Sequence, residues 1–175
     1  MKNAVSIVLS ALLLMPLMSC ENSYSVFSTK YRVNFRCDPN VPPFNSAVSM
    51  GTFVSVRCPG TELVVTDSDG KVSKWQLSEM ELRNSAFGLG GIIIGTPSLD
   101  NVNGDVYAYD LACPSCDDAS ARLKFDGTGV AVCPDCKTRY NLNNNGFVIS
   151  SETDASHPLY RYPVSRTLES IIVAN

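Results

Sequence analysis

Two pairs of cysteines with identical spacing are the residues of this 175-residue chain best suited to chemistry. The first pair lies in Cys113-Pro114-Ser115-Cys116 and the second in Cys133-Pro134-Asp135-Cys136, with sixteen residues between the pairs. A CxxC turn places two thiols on one side of a tight loop, and two such loops can enclose a tetrahedral metal ion. The separation of the pairs is typical of four-cysteine zinc sites. The pattern therefore predicts one metal centre, with the ligands Cys113, Cys116, Cys133 and Cys136.

Three other interpretations of these cysteines remain open. An exported chain meets oxidants, so the four thiols could pair as disulfides. Cys-Pro-x-Cys also resembles a thiol–disulfide exchange motif, but that motif depends on a helix N-terminus to lower the thiol pKa, and no clear helix begins at Asp117 or Lys137. Both pairs could also be remnants of a lost site. The spacing favours a metal, either zinc or a single iron ion.

The remaining polar residues indicate no self-contained catalytic site. His157 is the only histidine, which excludes any mechanism that needs several, and Pro158 beside it is typical of a surface loop. Asp117 and Asp118 are adjacent on a loop, and we expect both to be solvated. No Ser/His/Asp arrangement, phosphate-binding loop or dinucleotide motif is present. We therefore expect no enzyme, and at most an electron-transfer component.

Composition narrows the class of protein further. Hydrophobic residues make up 45% of the chain and charged residues 18%, which is ordinary for a globular fold and excludes a disordered chain. The formal net charge is −3 and no basic patch stands out. We therefore expect no nucleic-acid partner.

The N-terminus has the features of a bacterial export signal. Lys2 precedes an apolar run over residues 4–18, which is shorter than the roughly 20 residues that a spanning helix needs. The run ends in Leu17-Met18-Ser19-Cys20, which resembles a lipobox, although Met18 is bulkier than the usual residue there. The resemblance implies that residues 1–19 are a signal peptide and that Cys20 is lipidated; plain secretion is the alternative.

Lipidation at Cys20 would place the protein in the bacterial cell envelope, as a membrane-anchored lipoprotein facing the periplasm or the outer surface. Residues 20–30 are polar and would form a tether. The partners expected from this arrangement are the membrane, through the lipid anchor, and an envelope protein. Removal of Cys20 from the count leaves six cysteines, an even number that can pair or bind metal.

The body of the chain has the alternating hydrophobicity of short β-strands. Residues 31–37 and 52–58 alternate with period two. Residues 62–66 and 71–77 flank Asp67-Ser68-Asp69-Gly70, which predicts a hairpin. Only residues 77–82 could form a helical turn. Further strands are predicted at residues 90–95, 106–109, 122–126, 130–133, 146–149, 159–164 and 167–173.

These strands predict an all-β fold of stacked antiparallel sheets or a small barrel. We expect a single domain over residues 31–175, with a metal-loop subdomain resembling a zinc ribbon at about residues 108–150. Cys37 and Cys58 both fall on apolar strand faces. If their strands form a simple hairpin, the two cysteines lie at opposite ends, roughly 20 Å apart. We therefore favour buried thiols over a disulfide, unless the strands are parallel or separate.

The C-terminal half of the chain, from about Phe87, resembles the Rieske iron–sulfur domain. Residues 88–93 are similar to the glycine-rich strand before the first cluster loop, and residues 107–114 to the strand that enters that loop. Residues 132–134 and 140–142 are similar to the second loop and the strand after it, and residues 157–164 to the returning strand. The resemblance implies the stacked-sheet fold of that family.

The ligands depart from the Rieske pattern, in which two cysteines and two histidines bind a [2Fe–2S] cluster. Cys113 and Cys133 stand at the cysteine positions of the family, but Cys116 and Cys136 stand where it has histidines. The resemblance favours a [2Fe–2S] cluster, whereas the spacing favours a single ion. We therefore expect an exported, lipid-anchored, Rieske-like protein with one metal centre that has a structural role in a binding or interaction protein. The alternative is an iron–sulfur electron-transfer module for an envelope oxidoreductase.

Overall fold

The computed structural model of the protein describes residues 27–99, 101–125, 127–153 and 157–175. Within these ranges the fold is mostly β, with a 3-10 helix at Phe44–Val48 and one short α-helix, α1 (Glu79–Asn84). The strands are β1 (Val33–Cys37), β2 (Thr52–Arg57), β3 (Glu62–Thr66), β4 (Val72–Gln76), β5 (Ala86–Phe87), β6 (Ile92–Thr96), β7 (Tyr107–Asp110), β8 (Lys124–Phe125), β9 (Val130–Val132), β10 (Arg139–Asn141), β11 (Phe147–Ser150), β12 (Arg161–Tyr162), β13 (Val164–Arg166) and β14 (Ile171–Ala174).

The strands form three antiparallel sheets. The largest has six strands in the order β12-β7-β6-β2-β3-β4, and the other two have four strands each, in the orders β13-β14-β1-β5 and β11-β10-β9-β8. We call the last of these the metal-loop sheet, because the two cysteine loops adjoin its strands. Each sheet has two edge strands, so none of the three closes on itself within the described ranges. The predicted all-β fold of stacked antiparallel sheets is confirmed, and its alternative of a small barrel is wrong.

The six-stranded sheet is the central layer, because β6 is buried on both faces. Ile92 and Ile94 pack into one core, while Ile93 belongs to a second core on the opposite face. Successive side chains of a strand point to opposite faces, so a strand covered on both sides consists of consecutive apolar residues. This requirement explains the uninterrupted run of three isoleucines.

The first core lies between the six-stranded sheet and the sheet that contains β1. Val33, Phe35 and Cys37 of β1 face this core, whereas Asn34 and Arg36 between them do not, as the alternation predicts. The second core lies between the six-stranded sheet and the metal-loop sheet. Its buried members include Phe53, Ile93, Tyr109, Leu111, Cys113, Ala131, Cys133, Tyr140 and Leu142. The first cysteine of each CxxC loop is therefore part of a hydrophobic core.

The strand predicted at residues 159–164 is divided at Pro163. Residues before it form β12 in the six-stranded sheet, and residues after it form β13 in a four-stranded sheet. Proline has no N–H to donate to a strand ladder and fixes its own φ, so the chain changes sheets there.

The strand predicted at residues 167–173 begins only at Ile171. The hydroxyl oxygen of Thr167 accepts hydrogen bonds from the backbone N–H groups of Glu169 at 3.3 Å and Ser170 at 3.0 Å. A threonine that bonds the backbone two and three residues ahead closes a turn, and this turn replaces the first half of the predicted strand.

The premise of a hairpin between the strands of Cys37 and Cys58 is wrong. β1 belongs to a four-stranded sheet, and β2, which ends just before Cys58, belongs to the six-stranded sheet. Both cysteines pack on the first core, Cys37 buried and Cys58 half-buried, and both are free thiols.

The leader lies outside the described residues, and so does Cys20. Export and lipidation therefore stay predictions. In the part of the chain that the structure describes, no helix has the length and apolar character needed to cross a membrane.

Candidate metal centre

The two cysteine loops have the same backbone conformation. The N–H of Asp117 donates to the carbonyl oxygen of Cys113 at 2.9 Å, and the N–H of Lys137 donates to that of Cys133 at 3.1 Å. Asp117 and Lys137 have φ angles of 52° and 59°, in the left-handed region that L-residues rarely adopt. These residues follow the second cysteine of each loop, so a left-handed residue ends both CxxC turns.

The first cysteine of each loop is fixed by a backbone hydrogen bond across the loop. β7 leads into the first loop, where the N–H of Cys113 donates to the carbonyl oxygen of Ala121 at 2.9 Å. β9 leads into the second loop, where the N–H of Cys133 donates to the carbonyl oxygen of Thr138, also at 2.9 Å. Both loops are thus extensions of hairpins, as their positions after predicted strands indicated.

The four sulfur atoms of the two loops form one compact group. The Sγ of Cys113 lies 3.6 Å from that of Cys136, and the Sγ of Cys116 lies 3.7 Å from that of Cys133. All four sulfurs lie within 4.8 Å of one another. Four sulfurs that each stand about 2.3 Å from a tetrahedral ion are about 3.8 Å apart. The four cysteines named by the sequence are therefore brought together and can hold one metal ion.

The cysteines of this group are free thiols, because none of these contacts approaches the S–S bond length of about 2.05 Å. Cys113 and Cys133 have no exposed surface, whereas Cys116 and Cys136 are partly exposed. The group therefore lies between the second core and the surface, with the second cysteine of each loop on the outer side.

Hydrogen bonds in the second loop act on the ionisation of its thiols. The N–H groups of Asp135 and Cys136 donate to the sulfur of Cys133, but burial outweighs them and raises the pKa of the Cys133 thiol. At Cys136, burial also opposes ionisation, but the side chain and N–H of Thr138 hydrogen-bond the sulfur and lower the pKa of this thiol to about 7. These two hydrogen bonds favour the thiolate of Cys136, the form that binds metals.

Burial raises the pKa of the Cys116 thiol, and contacts with the neighbouring thiols raise it further. Four thiols this close cannot all ionise without a positive charge between them, because like charges disfavour one another's ionised form. A divalent cation supplies that charge and lowers the pKa of the thiols that bind it, so that they ionise. The chemistry of the donor set therefore fits a metal ion.

Tyr140 of β10 covers the inner side of the group. Its buried hydroxyl lies 3.3 Å from the Sγ of Cys113 and 3.0 Å from the Oγ of Ser115. Burial and the neighbouring Cys113 raise the pKa of this phenol, so it stays protonated and can donate a hydrogen bond to a thiolate. In the sequence, the only indication of this role is an aromatic residue near the second loop.

Asp110, the last residue of β7, is a buried carboxylate that the sequence analysis missed. Its Oδ1 accepts hydrogen bonds from the N–H groups of Gly90 at 3.0 Å and Ala112 at 2.7 Å. Its Oδ2 accepts from the N–H of Leu89 at 2.7 Å and from the hydroxyl of Tyr162 at 2.6 Å. These four donors satisfy the carboxylate as buried polar groups require. They also fix the end of β7, from which the first cysteine loop starts.

The glycine-rich segment before β6 packs directly on the entrance to that loop. A Cβ on Gly90 would lie 2.8 Å from the backbone nitrogen of Ala112, and one on Gly88 would lie 2.3 Å from the carboxylate of Asp110. Glycine is thus required by close approach at Gly90, and by both approach and a φ of +70° at Gly88.

Asp117 is not merely a solvated loop residue, contrary to expectation. It forms an ion pair with Lys30 at 2.7 Å, and its other oxygen accepts a hydrogen bond from the hydroxyl of Tyr31 at 2.7 Å. Lys30 lowers the pKa of the Asp117 carboxyl, and Tyr31 lowers it further. The segment before β1 therefore contacts the first cysteine loop beside Cys116.

The remaining candidate residues lie outside the group. His157 is exposed, as its neighbour Pro158 indicated, and neither Cys37 nor Cys58 belongs to the metal-site cluster. No family model matches this chain, and a search of curated proteins finds no match either. The arrangement of the described residues thus amounts to one four-thiol centre on the side of a stacked β fold.

Proposed function

We propose that this protein is an exported, lipid-anchored, Rieske-like envelope protein in which Cys113, Cys116, Cys133 and Cys136 hold one structural zinc ion. The observation that carries the metal assignment is the compact group of four sulfurs, all within 4.8 Å of one another. Zinc favours four thiolates in a closed tetrahedron and has no redox chemistry. A centre of this kind contributes directly to folding, because the ligands meet only in the folded chain.

The position of the group supports a structural role. Cys113 and Cys133 belong to the second core, and the metal-loop sheet consists of strands of two to four residues. Sheets of such short strands bury little surface and are marginal alone. An ion that joins the two loops would stabilise this sheet against the central layer.

The compactness of the group favours a single ion over a [2Fe–2S] cluster. Such a cluster divides its four ligands between two irons bridged by sulfides, so its two ligand pairs stand apart. The Rieske resemblance supports the architecture in this proposal and not the kind of metal centre. The glycine-rich segment and the returning strand both bond to Asp110, beside the first cysteine loop.

A single iron ion is the second candidate, and it would make the protein an electron-transfer module for an envelope oxidoreductase. The observation that favours it is the partial exposure of Cys116 and Cys136, which brings the outer side of the centre close to the surface. Iron also accepts four thiolates. The two candidates differ in colour, since an iron thiolate centre absorbs visible light and zinc does not.

The anchor rests on Cys20 and on the length of the apolar leader. Lipidation there would hold the folded domain at the membrane through a short polar tether, where an envelope protein is the expected partner. Detergent phase partition and intact mass of the Cys20→Ala variant test this part. Loss of membrane association supports the anchor, and unchanged association contradicts it.

Cobalt(II) titration of the purified chain tests the metal site, because cobalt in a four-thiolate site gives intense visible bands. We expect one equivalent of cobalt to bind and one equivalent of zinc to displace it. Cys116→Ser should shift the bands and weaken binding, whereas Cys58→Ser, a control outside the cluster, should leave both unchanged. Absence of thiolate bands in the wild-type chain under reducing conditions would contradict the proposal.

A further inference from the structure

The two most exposed large hydrophobic side chains that the structure describes lie on adjoining loops. Val102 is 99% exposed and Leu168 is 90% exposed. Val102 lies in the loop between β6 and β7, and Leu168 in the turn between β13 and β14. Single exposed aliphatic residues are ordinary on protein surfaces. Two that project almost completely into solvent from neighbouring loops call for a physical reason.

Hydrogen bonds join these loops into one surface. The guanidinium of Arg166 donates to the carbonyl oxygen of Gly104 at 3.0 Å, which ties the turn of Leu168 to the loop of Val102. The side-chain amide of Asn40 donates to the carbonyl oxygen of Leu168 at 2.9 Å, which adds a third loop. Two further exposed aliphatic residues belong to the same loops. We call Val41, Leu99, Val102 and Leu168 the aliphatic rim.

The loops that carry the aliphatic rim are braced internally. The buried side chain of Asn101 donates to the carbonyl oxygens of Pro97 at 3.2 Å and Asp105 at 2.8 Å, and it accepts from the N–H of Asp105 at 2.7 Å. Thr167 closes the other turn through its bonds to the N–H groups ahead of it. The exposed side chains are therefore presented by well-bonded loops.

The first residues that the structure describes, from Phe27, lie beside the aliphatic rim. Phe27 lines a cleft of about 580 Å³ together with Gly104 and Leu168. The N–H of Ser28 donates to the carbonyl oxygen of Arg161 at 2.7 Å, which fixes the segment there. Six residues separate Cys20 from Phe27. At about 3.3–3.6 Å per residue, Cys20 lies no more than about 25 Å from Phe27.

We propose that the aliphatic rim is a membrane-facing surface, whose side chains enter the interface of the bilayer that holds the Cys20 lipid. This inference rests on the lipid anchor of the proposed function. A tether of at most about 25 Å keeps this side of the domain close to the bilayer. The free energy that favours insertion is the transfer of aliphatic surface out of water into the headgroup and acyl boundary.

The chemistry of the rim favours lipid over a protein partner. Its four members are separate aliphatic side chains on loop tips, and the exposed aromatic residue beside it, Phe27, packs against the guanidinium of Arg161. The rim itself therefore does not contain the aromatic anchors that dominate protein interfaces. Arg161, Arg166 and Asp105 line the cleft beside the rim, while Asp38 and Glu169 lie on the loops of Val41 and Leu168, so these residues carry no excess of positive charge. The surface therefore does not require anionic lipid, and vesicles of zwitterionic phosphatidylcholine are a sufficient probe.

Fluorescence quenching by lipids brominated on their acyl chains tests the orientation. The full chain with Trp75→Phe has no tryptophan, because Trp75 is the only one. Val102→Trp and Leu168→Trp then report on the rim, and their exposure leaves the fold intact. Val72→Trp is the control, because Val72 is 51% exposed on β4, three strands from β6 and level with Ile93, whereas the loop of Val102 begins after Thr96. Val72 is therefore about 14 Å across the strands and about 10 Å along them from the start of that loop.

In brominated phosphatidylcholine vesicles, we expect quenching at positions 102 and 168 to exceed that at position 72 by at least about twofold. The inference is overturned if the tryptophans at positions 102 and 168 are not quenched, or are quenched no more than the tryptophan at position 72. Flotation of the same samples separates the two proposals. Protein that floats without quenching at the rim retains its anchor and refutes the orientation. Protein that does not float refutes both, while its metal content still reports on the zinc site.

Discussion

The hydroxyl of Tyr162 donates a 2.6 Å hydrogen bond to the buried carboxylate of Asp110. Tyr162 lies in β12 and Asp110 ends β7, so the bond joins the returning strand to the strand that enters the first cysteine loop. The same carboxylate accepts hydrogen bonds from the N–H groups of Leu89 and Gly90. One side chain therefore holds together three segments that are distant in sequence, and it fixes the point from which Cys113 starts its loop.

Removal of this hydroxyl should destabilise the domain. We expect Tyr162→Phe to lower the free energy of unfolding by about 1.5–3 kcal/mol, the range for a hydrogen bond to a charged group. Tyr107→Phe is the matched control, because the described residues provide no hydrogen bond to the Tyr107 hydroxyl, and it should change stability by less than about 0.5 kcal/mol. Urea unfolding measures both. Equal effects of the two substitutions would show that the bond to Asp110 contributes nothing.

A methyl group at Gly90 should disturb the entrance to the first cysteine loop. The added Cβ would lie 2.8 Å from the backbone nitrogen of Ala112, so the segments must separate. We expect Gly90→Ala to cost about 1–3 kcal/mol of stability and to weaken metal binding. At Gly127 the nearest atom to a Cβ is the carbonyl oxygen of Ser68 at 3.9 Å, so Gly127→Ala is the control. Unchanged stability and metal affinity in Gly90→Ala would contradict this account of the loop.

Alkaline pH should reveal the burial of Cys37. Burial and, to a smaller extent, the neighbouring Asp38 raise the pKa of this thiol from 9.0 to about 12. Because the pKa is higher in the folded than in the unfolded chain, the buried neutral thiol stabilises the folded state. This contribution to the free energy of unfolding is complete below pH 9 and is lost as the pH rises towards 12. The wild type should therefore lose more stability over this interval than Cys37→Ala does. The difference has a ceiling of about 1.4 kcal/mol per pH unit. Parallel pH profiles for the two chains would contradict the prediction.

Thiol labelling should divide the six described cysteines into three classes. In the native, metal-loaded protein, we expect iodoacetamide to modify the half-buried Cys58 and to spare the buried Cys37. The four cysteines of the cluster should react only after a chelator removes the metal, because a coordinated thiolate is protected. Mass spectrometry of tryptic peptides before and after chelation measures all three classes. Modification of the four cluster thiols before chelation would contradict metal binding.

The four-cysteine group could be predicted because its geometry is local. Each CxxC loop is set within five residues, and each follows a strand whose alternation is visible in the sequence. The strand predicted at residues 90–95 is likewise local, because it contains the uninterrupted Ile92-Ile93-Ile94 run that a strand covered on both faces requires. By contrast, the roles of Asp110 and Asp117 depend on partners 20 to 87 positions away in the chain. No local pattern distinguishes a carboxylate with such partners from a solvated one.

The change of sheet at Pro163 was missed for a related reason. Alternation over residues 159–164 continues through the proline, so periodicity alone joins β12 and β13 into one strand. The missing N–H of proline breaks the ladder at that point. After Pro163, β13 pairs with β14. This pairing depends on where the two neighbouring sheets lie, which the local sequence does not indicate.

Metal analysis and a visible spectrum of the native protein, isolated anaerobically from its own host without added metals, distinguish a structural zinc ion from an iron centre. We expect one zinc per chain, no visible absorption, and a melting temperature that falls when a chelator removes the zinc. Near-stoichiometric iron with charge-transfer bands and a reversible one-electron couple would contradict the structural zinc site. Two disulfides among Cys113, Cys116, Cys133 and Cys136 would contradict any metal site at this position.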